Sequence, residues 1–313
     1  MNVLSLFDGM SCGQIALERL GVKVDNYFAS EIDKHAIIET KANFPKTKHI
    51  GDIEKMKSSN LPKIDLLIGG SPCQSFSVAG NGTGFDGKSK LFWEYVRVLK
   101  EIKPKYFLLE NVKMKKEWEQ VITDTLGVEP IEINSSLVSA QHRRRLYWTN
   151  IPKIEQPKDL KITLSSILCK EEVGEKVEDS FKARNGKGVK VERVNYPYTF
   201  YEARTQEGKD ERRRVRQLTG RDTTPRSVKY KVFLPLRTNK ANCLVATPSQ
   251  LDYIIDNNGL YRKLSMTEMM KMQTVPTDYF KHSSERQKRK MLGNGWTVDV
   301  IVHILKNIPI NQY

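Results

Sequence analysis

The 313-residue chain carries 52 Lys and Arg against 37 Asp and Glu, a formal net charge of +15, and 39% of its residues are hydrophobic. That composition supports one large domain or two modest ones, and the positive surplus points to a polyanion, with a basic surface that only aids solubility as the competing explanation. Four cysteines (Cys12, Cys73, Cys169, Cys243) without a CxxC pair or close histidine exclude a disulfide scaffold and structural zinc, and with no membrane-length apolar run or signal-peptide pattern the chain is expected to be soluble and cytosolic.

Residues 1 to about 150 alternate short β-rich runs with helical stretches. Val3 to Phe7 is apolar and ends in Asp-Gly; Gln14 to Leu20 then places Ile15, Ala16, Leu17 and Leu20 at helical spacing before Gly21. Tyr27 to Ser30, Ile64 to Ile68 and Tyr106 to Leu109 read as further strands. Leu91 to Ile102 reads as a helix stopped by Pro104. Strands separated by helices imply crossover connections, hence an α/β fold with a mainly parallel sheet, helices on both faces and ligands at the strands' C-terminal ends.

From about 151 to 258 the periodicity weakens and the charge rises. Residues 204 to 231 hold ten basic side chains against four acidic ones, a net +6, and Tyr196, Tyr198, Phe200, Tyr201 and Tyr230 lie in or beside them. Interleaved basic and aromatic groups suit phosphate contact with base stacking; a solvated face or loop has the same composition. Lys263 to Gln273 and Thr297 to Leu305 again read as helical.

Three features carry chemistry. GGSPCQSFSVAG (69 to 80) follows a strand, with Pro72 fixing the backbone ahead of Cys73; the thiol either faces the cleft, where cationic groups would favour its thiolate, or packs as a small hydrophobe. Glu110 follows Tyr106 to Leu109 and so sits at a strand's C-terminal edge, as a site carboxylate or as a cap for the next helix. In QHRRRLYW (141 to 148), Arg143 and Arg145 alternate in a strand-like run and project to one side. Two guanidiniums there suit a planar acceptor, a phosphate or a solvated basic edge.

In this order and spacing, these features resemble the DNA (cytosine-5) methyltransferase family over nearly the whole chain. LFDGMSCG (6 to 13), SEID (30 to 33) and GDI (51 to 53) look like its cofactor motifs, and GGSPCQSFS its nucleophile motif. ENV (110 to 112) looks like its acid motif, QHRRR its paired-arginine motif, and MLGNGWTVDV (291 to 300) its C-terminal motif, preceded by YRKLSMTEMMKMQTVP (261 to 276). The resemblance implies a Rossmann-like sheet that uses S-adenosylmethionine (residues 1–154), a smaller irregular target-recognition domain (155–258), and a segment (259–313) returning to the first. It makes Cys73 the nucleophile that adds to C6 of a flipped-out cytosine, Glu110 the group that holds or protonates N3, and Asn111 a wall of that pocket. Arg143 and Arg145 would bind O2 and order the loop around the thiolate.

Phe7 would stack on adenine, and Asp8, Gly9, Ser11 and Gly13 would approach the methionine end of the cofactor. Glu31 and Ile32 would take the ribose, Asp52 and Ile53 the adenine edge, and Pro72 and Asn294 would line the pocket. DNA would meet Gln74, Ser77, Asn111, Arg212, Arg213, Arg214 and Arg216, and the glycine-dense loop GNGTGFDG (80 to 87) would close over the flipped base. Gly-Asn-Gly-Trp (293 to 296) stands where most bacterial members have Gly-Asn-Ala-Val; its tryptophan after a small residue is more like the animal de novo enzymes, and Ala79 stands where some members carry a DNA-contacting serine. The expected activity is site-specific DNA cytosine-5 methylation by a bacterial or phage-type monomer, in restriction-modification beside a partner nuclease or in protection from restriction. A tRNA methyltransferase of the same fold and a catalytically dead DNA-binding member are the alternatives.

Overall fold

A computed structural model describes residues 1–72, 90–170, 175–176, 180–182, 188–190, 197–219, 231–237, 239–248 and 252–309. Cys73, Gln74, Ser77, Ala79 and the glycine-dense loop lie outside the described residues.

Seven strands form the main sheet: β1 (Asn2–Leu6), β2 (Asn26–Ser30), β3 (Lys48–His49), β4 (Leu66–Gly70), β5 (Tyr106–Val112), β6 (Ile131–Asn134) and β7 (Arg144–Thr149). Their order is β3-β2-β1-β4-β5-β7-β6, parallel except for β7, which runs antiparallel to both neighbours. Helices α1 (Cys12–Arg19), α2 (Lys34–Asn43), α3 (Leu91–Ile102) and α4 (Lys116–Leu126) connect the parallel strands.

Strand alternation sorts the core into two layers. Val3, Leu66, Ile68, Leu108 and Tyr147 pack with α1 and the C-terminal helix α9 (Val298–Leu305), while Leu4, Leu67, Phe107, Leu109 and Trp148 pack under α3. Helix α1 can lie close to the sheet only because Gly13 has no side chain: a Cβ there would come 2.3 Å from Ile68 Cδ1. β5 runs on to Val112, so Glu110 lies inside a strand and not after one. It pairs with Gly70 on one side and Tyr147 on the other. The register therefore puts the Glu110 carboxylate on the α9 layer and Asn111 on the α3 layer.

The charged middle of the chain is more ordered than its weak periodicity suggested. Strands β8 (Glu175–Lys176), β11 (Tyr198–Arg204), β12 (Lys231–Arg237), β13 (Tyr253–Ile255) and β14 (Leu260–Lys263) form a second, antiparallel sheet in the order β12-β11-β13-β14-β8. β9 (Ser180–Lys182) pairs with β10 (Gly188–Lys190). The second sheet ends at Lys263, so the expected boundary at 258 falls within the β13–β14 hairpin.

Helix α6 (Gln206–Thr219) follows β11 and is started by Thr205, whose hydroxyl accepts the Gly208 N–H at 3.1 Å. Buried ion pairs hold β14 to α7 (Met266–Met272): Arg262 donates to Asp256 at 2.9 Å and to both Glu268 oxygens at 2.8 and 2.9 Å. Charges this deep persist only when every donor and acceptor is matched. Among the described residues, no helix is long and apolar enough to cross a membrane.

Candidate active site

The turn after β1 departs from ordinary backbone at three nearby residues: Phe7, Gly9 and Ser11 have φ of 56°, 58° and 56°. Such conformations persist only where surrounding contacts over-determine them. Here the Asp8 N–H donates to the Ser30 carbonyl at 3.1 Å, the Gly9 N–H to Glu31 Oε2 at 2.7 Å, and the Ser30 hydroxyl to the Gly51 carbonyl at 2.8 Å. The ends of β1 and β2 and the segment after β3 are thereby tied into one rim. Nothing lies within 4 Å of where a Gly9 side chain would be, and Ile32 beside it is 73% exposed, so the rim has open space above it and an apolar wall.

These residues fit a nucleoside-bearing cofactor, with adjustments to the expected roles. Glu31 Oε1 already accepts the N–H groups of Ile32 and Asp33, both at 2.7 Å, and Oε2 that of Gly9. One lone pair on Oε2 is left for a ribose hydroxyl. The Ile53 side chain is buried in the α3-side core, leaving its backbone for a ligand, while Asp52 caps the following turn by accepting the Glu54 N–H at 3.0 Å. Asn294 is exposed at the end of α8 (Glu285–Asn294).

Asp8 is half-buried, but its carboxylate is enclosed by the Ser11 hydroxyl and by the Tyr27 hydroxyl at 2.9 Å. Burial raises its pKa to about 6, against the opposing pull of hydrogen bonds from Ser11, Ser5 and Tyr27. Burial also pushes the Cys12 thiol up to about 12, so Cys12 is an inert, protonated neighbour.

The second half of the site forms around Glu110, which is 8% exposed. Arg145 Nε meets its Oε1 at 3.0 Å, and the Trp296 indole N–H donates to its Oε2 at 3.1 Å. One strand away, Asn111 Nδ2 donates to the Ser71 hydroxyl at 3.0 Å and the Ser71 carbonyl at 3.3 Å, two residues before Cys73. Asn111 is 1% exposed and on the opposite face of the sheet from Glu110. It therefore pins the strand that leads to Cys73.

Arg143 and Arg145 do share a side, as their alternation implied, yet they have different tasks. Arg143 is 3% exposed and donates to the carbonyls of Leu244 (2.8 Å), Gly293 (3.1 Å) and Gly295 (2.8 Å) and to Cys243 Sγ (3.3 Å). Arg143 is thus a buried clamp joining its own segment to residues 243–244 and 293–295, while Arg145 is the arginine that reaches Glu110. Burial would raise the Cys243 thiol, but Arg143 and Arg145 beside it outweigh that and lower it.

Sequence reasoning assigned no role to Trp296 or Cys243. The only signal for Trp296 was its departure from the family pattern; Cys243 had none, being about a hundred residues from its arginine partners. A third part of the expected site, the α6 cations, separates in two. Lys209, Arg212, Arg213, Arg216 and Gln217 line one open groove, at the i, i+3, i+4, i+7 spacing of a single helix face. Arg214 points elsewhere and pairs with Glu211 at 2.7 and 2.9 Å.

Fold and site together define the class: an open, Rossmann-like α/β protein with a backbone-tied rim at its strand ends and a carboxylate clamped on both oxygens. The chain belongs to the C-5 cytosine-specific DNA methylase family, whose model matches residues 1–309. It is 31% identical over 333 residues to the type II methyltransferase M.FnuDI of Fusobacterium nucleatum, a match covering 98% of this chain and 94% of that one. It is 47% identical over 116 residues to the orphan methyltransferase M.SPRI of Bacillus phage SPR, covering 36% of this chain but only about a quarter (26%) of the phage protein. The fold is shared with the Entamoeba histolytica methyltransferase EhMeth at a TM-score of 0.65 and 13% identity, covering 98% and 97% of the two chains.

Proposed function

We propose that the protein methylates C5 of cytosine in double-stranded DNA, using S-adenosylmethionine and Cys73 as nucleophile. The observation that carries this is the Glu110 carboxylate, held on both oxygens one strand from the chain entering Cys73. Cytosine C5 is a poor nucleophile until a thiolate adds at C6; the ring then has enamine character and C5 can attack an electrophilic methyl. When bound, S-adenosylmethionine supplies that methyl as a sulfonium.

Glu110 holds or protonates N3, drawing electron density from C6 as the C–S bond forms. Arg145 fixes Glu110 and meets the base's O2 from the same edge. Arg143 holds the segments on which this geometry rests. After methylation the C5 proton is lost to a base, and the C–S bond breaks to return the thiolate. The Phe7–Gly13 turn, Glu31 and Ile32 bind the cofactor. The α6 face of Lys209, Arg212, Arg213 and Arg216 contacts the DNA backbone, consistent with the net charge of +15. A role in restriction-modification or in protection from restriction follows the family resemblance.

The test is labelled methyl transfer to matched DNA and tRNA, alongside trapping on 5-fluorocytosine DNA. Label in DNA and a covalent adduct that Cys73→Ser cannot form are expected. Label confined to tRNA would sink the DNA assignment, and absence of any adduct with intact protein would refute the mechanism.

A further inference from the structure

Trp296 lies where three parts of the site meet. Its indole N–H reaches Glu110 Oε2 at 3.1 Å, while Arg145 Nε holds Oε1 at 3.0 Å. The indole fits because residue 70 is glycine: a Cβ there would come 2.9 Å from Trp296 Nε1 and 3.0 Å from Glu110 Oε2. The backbone around Trp296 is tied on every side. Its own carbonyl accepts the Cys12 thiol at 3.6 Å, the Gly295 carbonyl accepts from Arg143 at 2.8 Å, and the Thr297 hydroxyl donates to Gln273 Oε1 at 2.8 Å. The indole is thus presented to the carboxylate from a fixed backbone, not from a mobile chain end.

A glutamate's terminal torsion is broad, so a carboxylate held at one oxygen can still swing its plane. Donors on both oxygens, from β7 on one side and the 295–297 segment on the other, remove that freedom. Orientation matters because an acid that meets a ring nitrogen out of plane loses most of its effect on the barrier. We propose that Trp296 is a positioning residue of the methyl-transfer reaction, fixing the plane of Glu110 against the cytosine through its indole N–H. This rests on the proposed role of Glu110.

The discriminating pair is Trp296→Phe and Trp296→His in the full-length protein. Phenylalanine keeps a ring and removes the donor. Histidine places its Nε2 where the indole carries Nε1, because both are the same number of bonds from Cβ in a five-membered ring. The substrate is plasmid DNA with tritium at cytosine C5. Its exchange with solvent reports C6 addition, and cofactor and DNA dissociation constants are measured in parallel.

For Trp296→Phe, methyl transfer and exchange at saturating ligands should both fall about ten- to a hundredfold, the range for losing a hydrogen bond to a charged group. Both dissociation constants should stay within about twofold, and Trp296→His should recover most of the loss. Exchange at the wild-type rate in the Phe variant, or a loss confined to cofactor affinity, would overturn the proposal. If the Phe variant does not fold, Gly70→Ala wedges indole from carboxylate and should give the same kinetic signature; normal exchange in that variant would overturn the proposal equally. Wild-type protein with no exchange on any cytosine-containing nucleic acid would overturn the role of Glu110, and that of Trp296 with it.

Discussion

The main sheet and the α6 region both rely on arginine, in opposite ways. In the folded interior, Arg143, Arg262 and Arg289 are buried against fixed acceptors. Arg143 is used on backbone carbonyls, Arg262 on Asp256 and Glu268, and Arg289 on Asp252 at 2.7 Å. On α6, Arg212, Arg213 and Arg216 lie along one open groove. The contrast shows that a guanidinium's role is set by what competes for its donors. Inside, desolvation makes every unmatched hydrogen bond costly, so an arginine becomes a joint. Outside, the same group is weakly held and available to a polyanion.

The sharpest break of this comparison is Arg143→Ala. Removing a buried guanidinium takes a donor from three carbonyls and leaves a cavity, and urea denaturation should show a loss of about 3 kcal/mol or more. A stable variant with altered base selectivity would instead make Arg143 a base-reading residue. Next is Arg145→Ala, expected to lower kcat by roughly 10²- to 10³-fold, as for loss of a preorganised charged donor, with a smaller stability loss than Arg143→Ala because Glu110 keeps its Trp296 donor. The two substitutions, two residues apart, should thus separate stability from rate.

On α6, Arg213→Ala combined with Arg216→Ala should reduce the slope of log K against log salt by about 2, one for each phosphate no longer neutralised. Arg214→Ala, which releases Glu211, should leave that slope alone. Equal slopes for all three arginines would dissolve the distinction between the stripe and the paired face.

The smallest effect concerns Asp8, a buried acid of the main-sheet region. Its folded pKa, raised from 3.8 to about 6, lies above the unfolded value, so the native state favours the protonated form. Its favourable contribution is complete below pH 3.8 and lost as pH rises to about 6. Asp8→Asn should therefore gain stability relative to wild type across that window. The gain should be about 1 kcal/mol once partial solvent access is allowed for. Thermal unfolding at about pH 4 and about pH 7, on either side of the shift, checks the sign.

Much of this site was legible as sequence because its chemistry sits at the ends of local patterns. Short apolar runs located β1, β2, β4 and β5, and Leu91 to Ile102 matched α3 residue for residue. Phe7 to Gly13, Glu31 and Glu110 follow from those runs. The second sheet was not legible, because β11 pairs with β12 and β13 across long connections that leave little local periodicity. That Asn111 faces the α3 layer and bonds Ser71 was not legible either, because one residue of register decides which face of a strand a side chain takes.

By itself, then, the sequence determined the fold class and the order of the motifs. These follow from side-chain spacing and chemistry within a few residues. Only the tertiary structure decided which partners each group engages. Arg143 is occupied and Arg145 turned to Glu110 because segments 244, 293 and 295 converge on one guanidinium and not the other. Trp296 meets Glu110 across 186 residues only because Gly70 leaves room between them. Competition for donors in a desolvated space is a property of packing, and no local pattern in the chain encodes it.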